Sequence, residues 1–379
     1  MAIRLAESKF NIVLIERDKF PRQKLCGEFV SPECVDYLKS LNLINSIKEI
    51  GGDKIFETRF FSERGKSISV PSDWFSGGKS GALGISRAEM DFRLLEKAKK
   101  LGIKVLEETK CVSVLLDKDR ISSVLVKNQD YTESNLVADL FIDATGRART
   151  LGKLLHKQMG IQKKPQKIKH IAFKTHFENV NLEKGVCEIY FFNGGYGGLS
   201  YIENGTANHC FLIDSKIARK YKGNADKILK EVIFKNSRAY NALKDARKQF
   251  NWLGVSVEKF GIQLENPVKN LISVGDAAAF IDPFTGSGML MALESSKLLA
   301  NTILSEADIL TEERIASIKF EFERIHKLAT KKRLRVCSIA HRFSFSPKFV
   351  GFIIFLAGLN SSVLKGFSSL TRPSSKSDL

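Results

Sequence analysis

Apolar and polar positions along the chain follow two textures. Residues 10–15, FNIVLI, form an apolar, branched run between Lys9 and Glu16, as a buried strand does, and AIRLAES before it reads as the tail of a helix. SPECVDYLKSLNL then predicts a helix, with Ser31 as N-cap, Pro32 in the first turn and Glu33 facing the positive end of the dipole. Residues 55–76 read as short strands and turns. SRAEMDFRLLEKAKKLGI puts Met90, Leu94, Leu95 and Ala98 on one helical face and stops at Gly102. KVLEE and CVSVLL follow as strands, the turn DKDR leads into ISSVLVK as a hairpin, and VADLFIDATGR is an apolar strand running into a polar loop.

From about 166 to 262 strand-like runs dominate: IAFKTHFENV, CEIYFF, GGLSYIE, HCFLID and WLGVSVEKF, with one helix near 224–236. NLISVGDAAAFIDPFTGSGMLMALESSKLLANTIL returns to strand, loop and long helix. A helical tail is expected from Thr311 to about Val336, with shorter amphipathic pieces after it. The order α/β, β-rich, α/β predicts a split nucleotide-binding domain with a sheet domain inserted into it.

Strand–loop–helix–strand opens a dinucleotide fold, in which an acid ending the second strand bonds a ribose hydroxyl about 20 residues beyond the glycine fingerprint. Glu16 ends such a strand. Counting back from it runs off the chain, so the first strand and G-x-G-x-x-G are expected before Met1, and AIRLAES is the remainder of the first helix. An ordinary strand edge ending in Glu is the plain alternative.

A chain of 379 residues, 43% hydrophobic and 27% charged, suits a folded protein of two domains, or one with a large insertion. The formal net charge of +18 suits an anionic partner or a solvated basic surface, and no nucleic-acid motif accompanies it. The six scattered cysteines have no zinc spacing and, with no signal peptide, suggest a reducing cytosol.

FIDATGR places Asp143 and Gly146 after an apolar strand. SVGDAAAFIDPFTGSGMLMALE places Gly275 and Asp276 after another, then Pro283, Gly286 and Gly288 before a helix. With the opening strand, in this order and spacing, they resemble the FAD-dependent oxidoreductases of the p-hydroxybenzoate hydroxylase superfamily, nearest its geranylgeranyl reductase-like branch. ERDKFPRQKLCGEFVSPE looks like that branch's Pro-Arg-x-Lys-x-Cys-Gly-Glu segment, matching at Arg22, Lys24, Cys26, Gly27 and Glu28. GISRAEMDFRLLEKAKKLGIKVLE is similar to its Arg-x-x-x-Asp helix. The resemblance spans about residues 1–305.

It implies an α/β chain: a split Rossmann-like FAD-binding domain, first strand missing, over 1–55, 87–160 and 263–305. A β-rich substrate domain would occupy 56–86 and 161–262, and a helical C-terminal region 306–379. The resemblance also implies FAD as cofactor. Glu16 would bond the adenosine ribose, Arg17 lie along the adenine, Arg22 or Lys24 neutralise the pyrophosphate, and Arg87 reach the ribityl–phosphate region. The backbone at Val112 would meet the adenine, though a core valine fits equally. Asp143 and Gly146 would lie near the pyrophosphate or the path of a nicotinamide donor. Asp276 would bond a ribityl hydroxyl, with Gly275 allowing close approach. Pro283 would shape the loop beside the ring. Gly286, Gly288 and Met289 lead into a helix whose N-terminus would face the flavin N1–C2=O edge and stabilise reduced flavin. Cys26 is either a redox group or a small buried hydrophobe. His170, His176 and His209 read as structural or surface residues. No catalytic residue and no metal site is assigned.

The activity implied is FAD-dependent oxidation–reduction, with NAD(P)H or another electron donor, on a small apolar substrate of isoprenoid, lipid or quinone type. A flavin monooxygenase hydroxylating an aromatic or polyketide substrate is one alternative. A truncated or decayed flavoprotein with weak FAD binding is another. The halogenases' Trp-x-Trp-x-Ile-Pro segment is missing, since the only tryptophans are Trp74 and Trp252, and GGYGGLSYIE stands where many geranylgeranyl reductases carry an aromatic-x-Trp-x-Phe-Pro segment. The run FVGFIIFLAG, residues 349–358, is about half of the roughly 20 residues that span a bilayer. In the tail, Phe349, Phe352, Ile353, Leu356 and Leu359 can share a helical face flanked by Arg342, Lys348 and Lys365. That face suits an anionic membrane surface or the protein's own core. The expected place is the cytoplasm, with peripheral membrane contact open and no nucleic acid as partner.

Overall fold

The computed structural model describes residues 1–76, 81–162, 167–257, 260–263, 266–283, 286–306, 309–345, 350, 351 and 354. The fold is mixed α/β with a helical C-terminal region. Its largest element is an eight-stranded sheet. In spatial order its strands are Arg247–Lys248, His170–Glu178, Ala207–Asp214, Gly195–Tyr201, Val186–Phe192, Glu57–Phe61 and Ser67–Pro71, and Leu253–Val257 also pairs with His170–Glu178. Neighbours run antiparallel except Val186–Phe192 beside Glu57–Phe61, which is parallel.

Both faces of this sheet are covered, which is why its strands read as continuous apolar runs and not as alternations. One face packs Phe173, Phe177, Tyr190, Phe192 and Phe211 against Ile228, Ile233 and Leu243 from the helical stretch 225–243. The other carries Ala172, Phe191, Tyr196 and Leu212, and Val350 and Ile354 are buried there. Those two belong to the segment expected to form an interfacial face. Phe349, Phe352, Ile353, Leu356, Leu359, Lys348 and Lys365 themselves lie outside the described residues. Among the described residues no helix is long and apolar enough to cross a membrane.

The strands of nucleotide-binding type form two separate parallel pairs, Val13–Ile15 with Lys104–Leu106 and Phe141–Asp143 with Leu271–Ser273. The helix Arg87–Lys100 buries Met90, Leu95 and Ala98, with Leu94 half-buried, and Ser86 caps it by accepting a hydrogen bond from the Glu89 N–H at 3.2 Å. The helix Gly288–Glu306 buries Leu299 and Ile303 against Ile272 and Val274. Three expectations change. The opening strand is regular only over 13–15. Ser31 holds the N-cap position of Pro32–Ser40 without a side-chain capping bond. The tail helix, Glu312–Ser344, runs past Val336, because positions such as Phe322, Cys337 and Ile318 keep finding buried partners.

Candidate cofactor site

The pair Val13–Ile15 and Lys104–Leu106 ends at Glu16. Its N–H donates to the Leu106 carbonyl (2.9 Å), and its own carbonyl accepts from the Thr109 N–H (3.0 Å). One carboxylate oxygen accepts from the Asp18 N–H at 2.9 Å and from Arg22 at 3.4 Å. Arg22 also pairs with Asp18 at 3.2 Å. Arg17 is exposed and rests on Asp18, whose hydrogen bond and charge raise its pKa further. Val112 is the extra residue of a β-bulge. Cys111 pairs with Val126 and Ser113 with Leu125, so Val112 is skipped by the ladder. A bulge turns backbone groups out of the pairing, which is what a backbone contact with an adenine needs.

Next along the chain, Lys24 and Arg87 share one carboxylate. Lys24 Nζ lies 2.6 Å from Asp91 Oδ2, and Arg87 holds Asp91 through two bonds of 2.8 Å. Burial alone would raise Asp91, but Arg87 first and Lys24 second outweigh it and lower its pKa. Burial depresses Lys24, with Asp91 opposing and the Arg87 and Arg22 charges adding to the fall. For Arg87, burial is outweighed by Asp91 and then by the nearby Cys26, and its pKa rises. Two cations on one carboxylate leave positive charge over, which suits a pyrophosphate.

The other parallel pair delivers the remaining residues. Asp143 is buried, and both of its oxygens are engaged by its own loop. One accepts from the Thr145 N–H (3.0 Å) and hydroxyl (2.6 Å), the other from the Gly152 N–H (3.2 Å). It braces the turn in which Gly146 takes φ 64°. Gly275, at φ 60°, donates its N–H to Ser295 Oγ at 2.9 Å. A Cβ there would sit 3.3 Å from the Ala292 Cβ, so the turn lies tight on the helix Gly288–Glu306.

Asp276 differs from Asp143. Its carboxylate has no hydrogen-bond donor among the described residues. Burial raises its pKa to about 6, with Arg147 and then Arg87 pulling the other way. A half-buried acceptor that feels the charges of two arginines and lacks a donor fits a ligand hydroxyl. Pro283 is exposed, Gly286 has φ 60° with Phe29 at 3.4 Å from a built Cβ, and Gly288 and Met289 open the long helix. The first N–H groups of a helix have no partner within it.

The structure therefore groups Glu16 with Arg22, Lys24 with Arg87, and Asp276 with Arg87, while Asp143 is turned to bracing. An acceptor lacking a donor at Asp276 and two cations sharing Asp91 suit the hydroxyls and phosphates of a cofactor such as FAD. Sequence reasoning missed Arg147, which lies 5.5 Å over the Phe280 ring, and it gave no role to Asp282. Asp282 is buried beside Pro283, accepts from the Tyr196 hydroxyl at 2.8 Å and pairs with His341 of the tail helix. His170 packs 4.7 Å from His341, and burial and then the His341 charge lower its pKa to about 4. A cavity of about 520 Å³ opens there, lined by Phe260, Ile262, Asp282, Leu334, Arg335 and Cys337.

The family described as FAD binding domain matches residues 1–310. The flavin-dependent halogenase armH3 of Armillaria mellea is 25% identical over 333 residues, 79% of this chain, and this chain spans 63% of that protein. The digeranylgeranylglycerophospholipid reductase of Methanosarcina acetivorans is 26% identical over 319 residues, covering 81% of this chain and 73% of the reductase. Among solved structures, the flavin-dependent brominase Bmp2 superposes with a TM-score of 0.75 at 16% identity, over 99% of this chain and 91% of that one. A flavoprotein/dehydrogenase from Cytophaga hutchinsonii gives 0.71 at 19%, over 98% and 93%. At these identities the solved structures speak for the fold.

Proposed function

The chain belongs to the FAD-binding domain family, and from that premise we propose an FAD-dependent oxidoreductase that acts on a small apolar substrate of isoprenoid, lipid or quinone type, with NAD(P)H or another donor supplying electrons. The observation that carries the reading is the Asp276 carboxylate, half-buried, within the field of Arg147 and Arg87, and without a donor among the described residues. Bound FAD supplies the capacity to accept and deliver an electron pair. The chain's residues do the holding. Glu16 and the Val112 bulge would take the adenosine end, Lys24, Arg87 and Arg22 would take the phosphates, and Asp276 would accept from the ribityl chain. The N-terminus of the helix Gly288–Glu306 would turn its positive dipole toward the ring edge.

The apolar substrate class is supported by the reductase relative and by the aromatic and aliphatic wall of the cavity beside Asp282. The halogenase relative supports a monooxygenase-type use of the same cofactor. Anaerobic addition of NADPH or NADH to the FAD-loaded protein tests the donor, and bleaching of the flavin is the expected result. Reoxidation by an isoprenoid or quinone acceptor under argon supports the reductase. Reoxidation by oxygen alone, with hydroxylated product, supports the monooxygenase. A flavin that no nicotinamide reduces removes NAD(P)H from the account.

A further inference from the structure

Strands His170–Glu178 and Ala207–Asp214 share a face on which Lys174 stands opposite Cys210 and His176 opposite Asn208. This face meets the segment 22–28, the stretch carrying Arg22, Lys24 and Cys26. Lys174 has no exposed side-chain surface, and its ammonium has three acceptors: the Gln23 side-chain oxygen (3.0 Å), the Lys24 carbonyl (3.0 Å) and the Glu28 carboxylate (2.5 Å). Glu28 is equally buried. Its first oxygen also accepts from the Arg87 N–H at 2.7 Å, and its second lies 2.7 Å from His176 Nε2. Asn208 adds a bond from Nδ2 to the Cys26 carbonyl at 3.2 Å.

A buried ion pair is weak ground for stability, since an apolar pair of similar volume often does as well. Here, however, the ammonium spends two of its three bonds on a loop and not on its counter-ion. Glu28 itself holds a left-handed φ of 53°, a conformation a non-glycine residue keeps only when its surroundings fix it. The same carboxylate holds the Arg87 backbone at the first turn of the helix Arg87–Lys100. One contact set thus fixes both cations that share Asp91.

We infer that Lys174 and Glu28 are positioning residues for the cofactor site: the large sheet reaches across to clamp segment 22–28 and the start of the helix Arg87–Lys100, and so sets Lys24 and Arg87 for an anionic diphosphate ligand. This rests on the FAD reading for the identity of the ligand, and on the geometry alone for the clamp.

The test uses Lys174→Met, Glu28→Gln and the double variant, each read by thermal unfolding, by amide exchange of residues 22–28 without FAD, and by FAD titration through flavin fluorescence. Lys174→Met leaves Glu28 buried without its cation, so it should lower the unfolding temperature, speed exchange over 22–28 and weaken FAD binding by roughly tenfold. The double variant removes both charges. It should regain most of the unfolding temperature while exchange over 22–28 stays fast and FAD binding stays weak. Recovery of all three in the double variant overturns the clamp, as does unchanged exchange over 22–28. If the native protein does not bind FAD, the ligand assignment fails while the exchange data still decide the clamp.

Discussion

Strand Val186–Phe192 has a bonded neighbour on each side and is buried at every position except Ile189. Strand Val13–Ile15 is bonded among the described residues only to Lys104–Leu106, has no fully buried residue, and leaves Val13 40% exposed. The first belongs to a sheet covered on both faces. The second belongs to the short parallel pairs whose ends carry Glu16, Asp143 and Asp276. Long buried ladders resist local opening, whereas short strands with exposed edges open easily. A ligand that binds only the closed form stabilises what it holds. The large sheet is therefore the rigid frame, and the candidate residues Glu16, Asp143 and Asp276 sit on the part that a bound ligand would tighten most.

The largest effect should come from the frame. Leu199 is fully buried in the sheet core, and Leu199→Ala should cost about 2–5 kcal/mol, read as a fall in the chemical denaturation midpoint. Glu188→Ala comes next. Glu188 is buried, holds Arg238 at 2.8 Å and accepts from the Tyr190 hydroxyl at 2.7 Å. Its loss leaves both without their partner, at a cost of roughly 2–4 kcal/mol with Arg238 partly solvated. A midpoint unchanged in either variant would remove the sheet from its place as the frame.

Asp276 gives a smaller effect, of opposite sign. Its folded pKa of about 6 lies above the ordinary 3.8. The folded protein without FAD therefore binds a proton more tightly than the unfolded chain does. The stabilisation is complete below about pH 4 and is lost as pH rises through 6. Asp276→Asn should accordingly stabilise the FAD-free protein above pH 6, on the order of 1–2 kcal/mol, and change little near pH 4. Equal denaturation midpoints for the two proteins at pH 8 would contradict this. Smallest of all, Val13→Thr should cost under about 0.5 kcal/mol because the side chain is already 40% exposed. A loss above 1 kcal/mol would show the parallel pairs to be as tightly packed as the sheet.

The same contrast decides what could be read from sequence. Periodicity exposed the helix at 87–100, and its Met90, Leu95 and Ala98 are buried. The apolar runs before Asp143 and Gly275 do end in strands that pair with one another. The family and the mixed fold were legible because glycine, proline and acid positions recur in a fixed order along the chain. The Lys174–Glu28–His176 cluster was not, because it joins residues 146 and 148 positions apart. The one available signal was a lysine inside the apolar run IAFKTHF, which a buried strand tolerates only with an acid partner. Asp143 and Asp276 looked alike in sequence. Only the structure shows that one is satisfied by its own loop and the other has no donor among the described residues. Val112 could be named but not explained, because a bulge depends on the partner strand's register.

The most direct test is an FAD titration of the native protein and of Asp276→Asn at pH 5 and pH 8, followed by flavin fluorescence. The native protein should bind FAD more tightly at pH 8, where the ionised Asp276 can accept from the ribityl hydroxyl. The variant should bind roughly tenfold more weakly at pH 8, with little change between the two pH values. Equal affinity of the two proteins at pH 8, or no binding by the native protein, would contradict this.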